Sequence, residues 1–164
     1  MQINELLIRE FDREMASTQK TLERVPADKW DWKPQEKSGS LGWMAAHVAT
    51  LPGFTTATIT TPELDVVNAK IPKVEKQADL LPTFAKSSQE ARAALAGVTD
   101  EQLQQMWTLK HNGNVIFSMP RYDVLRGMCF NHLVHHRGQL TMYLRQLNVS
   151  VPGLYGPSAD EKGM

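Results

Sequence analysis

Apolar residues recur at helical spacing over four stretches of the chain, and the pattern breaks between them. Ile3, Leu7, Phe11, Met15, Thr18 and Leu22 step by three and four, while Arg9, Asp12, Arg13 and Lys20 lie mostly off that line. This predicts an amphipathic helix from about Ile3 to Val25, stopped by Pro26. Residues 26–40 read as a connection broken by Pro34, Ser38 and Gly39. Trp30 and Trp32 give that connection something to bury, so it should pack over the helices or border a pocket. The second helix is expected from Ser40, a capping residue, to about Thr60. Trp43, Met44, His47, Leu51 and Phe54 trace its apolar side, and Pro52-Gly53 predicts a kink or break midway.

Residues 61–77 hold Pro62 and Pro72 and few periodic positions, and are expected to cross the end of the bundle. A third helix follows over roughly Asp79–Ala96, with Leu81, Phe84, Ser88, Ala91 and Leu95 inward and Gly97 ending it. A short helical turn is expected over Asp100–Gln105. Trp107-Thr108-Leu109 and Val115-Ile116-Phe117 then flank His111-Asn112-Gly113-Asn114, a hairpin signal. The fourth helix, capped by Ser118 with Pro120 in its first turn, runs to about Leu147. Its apolar stripe is Leu125, Cys129, His132, His136, Leu140, Tyr143 and Leu147. Residues 148–164 form a tail rich in Pro and Gly. The expected fold class is all-α: a four-helix bundle in one domain, 1–164, with a small hairpin or extended excursion before the last helix.

Two histidines interrupt that last stripe. His132 and His136 are four residues apart, so their imidazoles lie one above the other on one helix face and can reach a single ion at about 2.0–2.1 Å. Their place in the stripe points them into the bundle, where bundles commonly hold metals. His132 and His135 form an alternative pair, but at ~100° per residue His135 falls at the edge of the face. His47 lies on the inward side of the second helix and is the candidate third ligand. An isolated inward histidine is more often a hydrogen-bonded core residue, so the pair on the last helix carries the argument. Three ligands would leave positions open for water or substrate. His111 belongs to the hairpin turn and should be at the surface.

Cys129 sits one turn before His132, either as a fourth ligand or reactive thiol or, the preferred reading, as a small buried hydrophobe. Tyr143 shares the face and should pack with its hydroxyl satisfied. Asn131 and Arg137 flank the ligands, and Arg137 reads as structural. The metal remains zinc, nickel or iron, since three imidazoles suit all of them.

Composition narrows the rest. Of 164 residues, 41% are hydrophobic and 22% charged, the balance of a globular protein with a full core. Lys plus Arg and Asp plus Glu are both 18, and a net charge of zero lacks the cation surplus that nucleic-acid binding needs. No apolar run reaches membrane-spanning length, and a lone cysteine excludes an intramolecular disulfide, so a cytoplasmic setting is expected.

Three segments, SLGWMAAHVATLPG around His47, NHLVHHRGQLTMYLRQL around His132 and His136, and the closing VPGLYGPSAD, together resemble the DinB-like (DinB/YfiT) superfamily. The resemblance spans most of the chain. It implies a four-helix bundle, often a homodimer, and one divalent metal ion held by His47, His132 and His136. It also implies thiol-dependent chemistry, in which a low-molecular-weight thiol is transferred to a small electrophile. Trp43 and Tyr155 lie in the matching motifs and are candidates for lining the pocket, with Cys129 and Tyr143. Two other expectations stand beside this one: a metal-dependent hydrolase, and a non-catalytic metal-binding stress-response protein.

Overall fold

A computed structural model describes residues 2–161. The outermost positions of the expected 1–164 domain and of its tail lie outside the described residues. The first helix, α1 (Ile3–Leu22), leads through a connection to α2 (Leu41–Thr50) and α3 (Pro52–Thr60). Ser40 caps α2, accepting a hydrogen bond from the Trp43 amide at 3.1 Å. The break at Leu51 has a simple origin: Pro52 has no amide hydrogen to extend the ladder but suits the first turn of a new helix. The connection before α2 is pinned by Leu41 and Gly42 amides donating to the Trp32 and Trp30 carbonyls, both at 2.8 Å. The Trp30 indole lies directly over Gly42, where any Cβ would collide with it.

Strand β1 (Glu63–Asp65) follows, then α4 (Leu80–Gly97) and α5 (Asp100–Gln104). Thr99 and Gln102 form a reciprocal capping box at the start of α5. Strands β2 (Met106–His111) and β3 (Asn114–Pro120) form the expected hairpin. Asn112 and Gly113 have φ of 49° and 78°, so the tight turn places both residues in the left-handed region.

The last rod begins as α6 (Arg121–Val124), passes through a π-helical segment (Leu125–Asn131) and continues as α7 (His132–Gln146). Three apolar clusters order the rods. Leu22, Met44, Val48, Phe84, Leu140 and Leu144 meet in one core, and Leu7, Phe11, Leu95, Leu125 and Phe130 meet in another. The start of α1 therefore lies by the end of α4 and by the π segment. Trp107, Leu109 and Val124 form a third cluster, which docks the sheet on Phe54 of α3 and Met128. Arg121 is buried, and its guanidinium donates to the Thr61 carbonyl at 2.7 Å and to that of Thr58, closing the C-terminal end of α3.

Three features correct the expectations. The fold is mostly helical but not purely all-α: the sheet has three strands in the order β1-β2-β3. Its third member is β1, in the segment expected only to cross the bundle end, running parallel to β2 with Leu64 opposite Leu109. The Asp65 carboxylate holds β1 in place by accepting hydrogen bonds from the Asn112 and Gly113 amides of the hairpin turn at 3.0 and 2.7 Å. Ser118 is not a cap. It belongs to β3, its hydroxyl paired with that of Thr108 at 3.0 Å, and Pro120 occupies the position just before α6.

The third correction concerns the stripe of the last rod. Its buried residues from Leu125 on are Leu125, Cys129, Phe130, Leu133, Arg137, Leu140 and Leu144. Beyond Cys129, Leu133, Arg137 and Leu144 are buried in place of the predicted His132, His136 and Tyr143, each one residue later, while Leu140 belongs to both lines. A π turn holds one residue more than an α turn and rotates the helix that follows relative to an unbroken α-helical line. His132 and His136 are consequently carried to the flank of the core, where they are half-buried.

Candidate metal centre

His47 comes from the last turn of α2, His132 from the first residue of α7, and His136 from one turn later. Each offers one ring nitrogen to a common point, and these three atoms lie within 4.8 Å of one another. His47 Nε2 and His132 Nε2 are 3.4 Å apart. That is about the separation of two nitrogens in tetrahedral positions 2.0–2.1 Å from one ion. The ring centroids of His47 and His136 are 4.5 Å apart and nearly perpendicular, so the rings converge rather than stack.

The surroundings prepare these nitrogens as ligands. His132 Nδ1 lies 3.2 Å from the Met128 carbonyl, and His136 Nδ1 lies 2.7 Å from Gln139 Oε1. Both partners are oxygen acceptors, so each Nδ1 carries the proton and each Nε2 keeps a free lone pair. His47 is held differently, with the indole of Trp43 stacked on its ring at 5.4 Å and an interplanar angle of 10°. Burial, with the two other imidazoles beside it, lowers the His47 pKa from 6.5 to about 4. Burial also lowers those of His132 and His136. His47 Nε2 is within hydrogen-bonding distance of His132 Nε2, and one proton shared there would leave the third imidazole without a partner in the set. A divalent cation fits this donor set, because it supplies the one partner all three nitrogens can share.

The centre is open. His47 and His132 line a pocket of about 310 Å³ walled by Leu51, Phe54, Leu64, Leu109 and Met128. Trp43, Ala46 and His47 line a second of about 220 Å³, and Thr50, Ile71 and Pro72 border both.

The other predicted site residues fall in three places. Trp43 is beside the centre, 54% exposed. Cys129 is buried in the core with Leu125 and Phe130, its sulfur 3.7 Å from the Thr58 hydroxyl. Burial pushes its thiol up to about 12, which makes it an inert core residue and neither a ligand nor a nucleophile at neutral pH. Tyr143 packs edge-on against Trp32 and donates to the Gly39 carbonyl at 3.3 Å, away from both pockets. Tyr155 also lies off the pockets: its hydroxyl bonds to Arg137 Nη2 at 2.7 Å and to Glu14 Oε2 at 2.8 Å. His135 is exposed, with its ring 4.9 Å from that of His136, and His111 is at the surface. Gln139 escaped the sequence reading. Its signal was present, since a side chain three residues beyond a helical ligand lies over the same face.

The fold and site define a mostly helical protein with a small three-stranded sheet and three converging imidazoles, two of which line an apolar pocket. The chain matches the DinB family over residues 1–163, and it belongs to that family. It is similar to the Bacillus subtilis protein YrdA, with 25% identity over 161 residues, covering 94% of this chain and 89% of YrdA. Among solved structures, a DinB-like protein of Bacillus subtilis, YjoA, shares the fold with a TM-score of 0.74 at 20% identity, covering 93% of this chain and 99% of that one. A DinB-like protein of Bacillus cereus matches with a TM-score of 0.70 at 26% identity, covering 92% and 97% respectively. Among the described residues no helix is long and apolar enough to cross a membrane.

Proposed function

We propose that this protein is a metalloenzyme that joins a low-molecular-weight thiol to an electrophile at the His47–His132–His136 centre. The observation that carries the reading is the neutrality and openness of the ligand set: three imidazoles, no carboxylate or thiolate, and a pocket reaching two of them. His47, His132 and His136 would hold a divalent ion without cancelling its charge, and the ion would then supply acidification of a bound thiol or water. The chain's own residues do the rest. Gln139 and the Met128 carbonyl fix the ring orientation of His136 and His132, so the lone pairs stay aimed at one point. Trp43 fixes the third ring by stacking. The apolar walls keep bulk water from competing for the electrophile.

A closed, purely structural site would need a fourth protein ligand, and the candidate that the sequence offered, Cys129, is committed to the core. Hydrolysis would use the same centre with water in place of the thiol. Elemental analysis of the wild type beside His132→Ala, followed by a thiol-transfer screen of zinc-, nickel- and iron-loaded protein, tests the reading. Near-stoichiometric metal in the wild type, its loss in the variant and thiol consumption with an electrophile are expected. Metal without thiol turnover, but with ester or amide cleavage, would replace the transferase by a hydrolase. Absence of metal from both proteins would end the reading.

A further inference from the structure

We infer that the pocket of about 310 Å³ beside the histidines is the binding chamber for the apolar body of the substrate, so the reactant it selects is an uncharged hydrophobic molecule. The inference takes the place of reaction from the metal-centre reading, but the chamber stands on its own walls.

Those walls are Leu51, Phe54, Ala57, Leu64, Leu109 and Met128. Polar groups are scarce along them. The Thr50 hydroxyl is occupied, donating to the Ala46 and His47 carbonyls at 3.0 and 3.1 Å. Lys70 is the one charged residue along the lining, and it is exposed. The two imidazoles stand at one side. A sugar, a nucleotide or a peptide-like thiol would lose its hydration in this chamber and find almost nothing to replace it. An alkyl chain or ring would gain by leaving water, with its reactive end directed to His47 and His132. The smaller pocket reaches His47 past Ile71 and Pro72 from the side of Trp43.

Gly53 provides the means to test this. It lines the chamber within α3, and a Cβ added there meets nothing within 4 Å. Gly53→Leu fills the space while favouring the helix. Straight-chain alcohols from butanol to octanol, titrated into zinc-loaded and metal-free protein with amide chemical shifts as readout, serve as neutral probes. Affinity should rise by up to about fourfold per methylene as each is buried, with shifts centred on Phe54, Leu64 and Leu109. Gly53→Leu should weaken octanol binding at least tenfold, and Ala57→Leu, one helical turn on, should do the same independently. Binding without chain-length dependence, or undiminished in both variants, would overturn the inference. Zinc bound at the histidines with no alcohol bound in the chamber would sink this inference alone. Alcohol bound as predicted in a protein that takes up no zinc would leave the chamber standing and remove the metal reading instead.

Discussion

His136 and Arg137 are sequence neighbours on α7, yet they serve two polar clusters of opposite kind. His136 turns toward α2 and joins His47 and His132, a half-buried set of bases aimed at one point. Arg137 turns toward α1 and is 1% exposed. It ion-pairs with Glu14 at 2.7 Å and donates to the Glu14 carbonyl and the Thr18 hydroxyl at 3.0 and 3.1 Å. The Tyr155 hydroxyl closes the network between Arg137 and Glu14. On the arginine side the charges cancel and both terminal nitrogens of the guanidinium are hydrogen-bonded, while Arg137 Nε has no partner among the described residues. The histidine side holds three nitrogen bases, and a partner common to all three comes only from outside. A polar cluster that cancels its own charge holds the fold, and a cluster of bases open to a common cation is a candidate site.

This contrast breaks most sharply at Arg137. Arg137→Ala would leave the Glu14 carboxylate buried without its partner, costing about 3–5 kcal/mol of stability. Urea denaturation should show that loss, while the folded variant still takes up zinc at the three histidines. His132→Ala should do the reverse, abolishing stoichiometric zinc with little change in the stability of the metal-free protein. If Arg137→Ala removed zinc binding under conditions where the variant remains folded, the two clusters would be one device rather than two.

Gln139 sharpens the comparison at smaller amplitude. It is the one residue on the histidine side whose hydrogen bond resembles those of the arginine network, a 2.7 Å contact to His136 Nδ1. Gln139→Ala should weaken zinc affinity roughly tenfold, the lower end of what second-partner removal costs at metal sites. Unfolding by urea should be nearly unchanged, since Gln139 is only partly buried. Competition with a chromogenic chelator measures the first quantity. Unaltered affinity would show that the ring of His136 is oriented by packing alone.

How much of this was legible beforehand follows from the range of the forces involved. Local signals were read correctly: Ser40 as a cap, Pro52 as a break and Asn112-Gly113 as a tight turn each act within a few residues. Strand β1 was not, because Glu63-Leu64-Asp65 is too short to show a period and is held by Asp65 reaching the hairpin turn 47 residues away. The π segment was invisible for a related reason: residues 125–131 carry an ordinary helical pattern, and the extra residue shows only in which side chains are buried afterwards. The three histidines were found despite that error, since a four-residue spacing within α7 survives a rotation of the whole helix. Tyr155 was placed beside the wrong cluster, because its motif names its neighbourhood and not the direction of its side chain.

The smallest effect is the response of the histidine cluster to acid. His47 titrates at about 4 in the folded protein and near 6.5 when unfolded, so between those values the unfolded chain binds more protons. Stability of the metal-free protein contributed by this group is therefore complete above about pH 6.5 and is lost progressively as pH falls toward 4. His132 and His136, lowered in the same direction, add to the slope. Partial exposure of all three keeps the total well below that of fully buried groups. Zinc steepens the same dependence, because protons and metal compete for the same nitrogens. Urea midpoints measured from pH 7.5 to 4.5 should thus fall in the metal-free wild type, fall further in the zinc-loaded protein, and flatten in His47→Gln. A His47→Gln profile as steep as the wild type's would assign the acid sensitivity to carboxylates elsewhere and leave the three imidazoles uncoupled from folding.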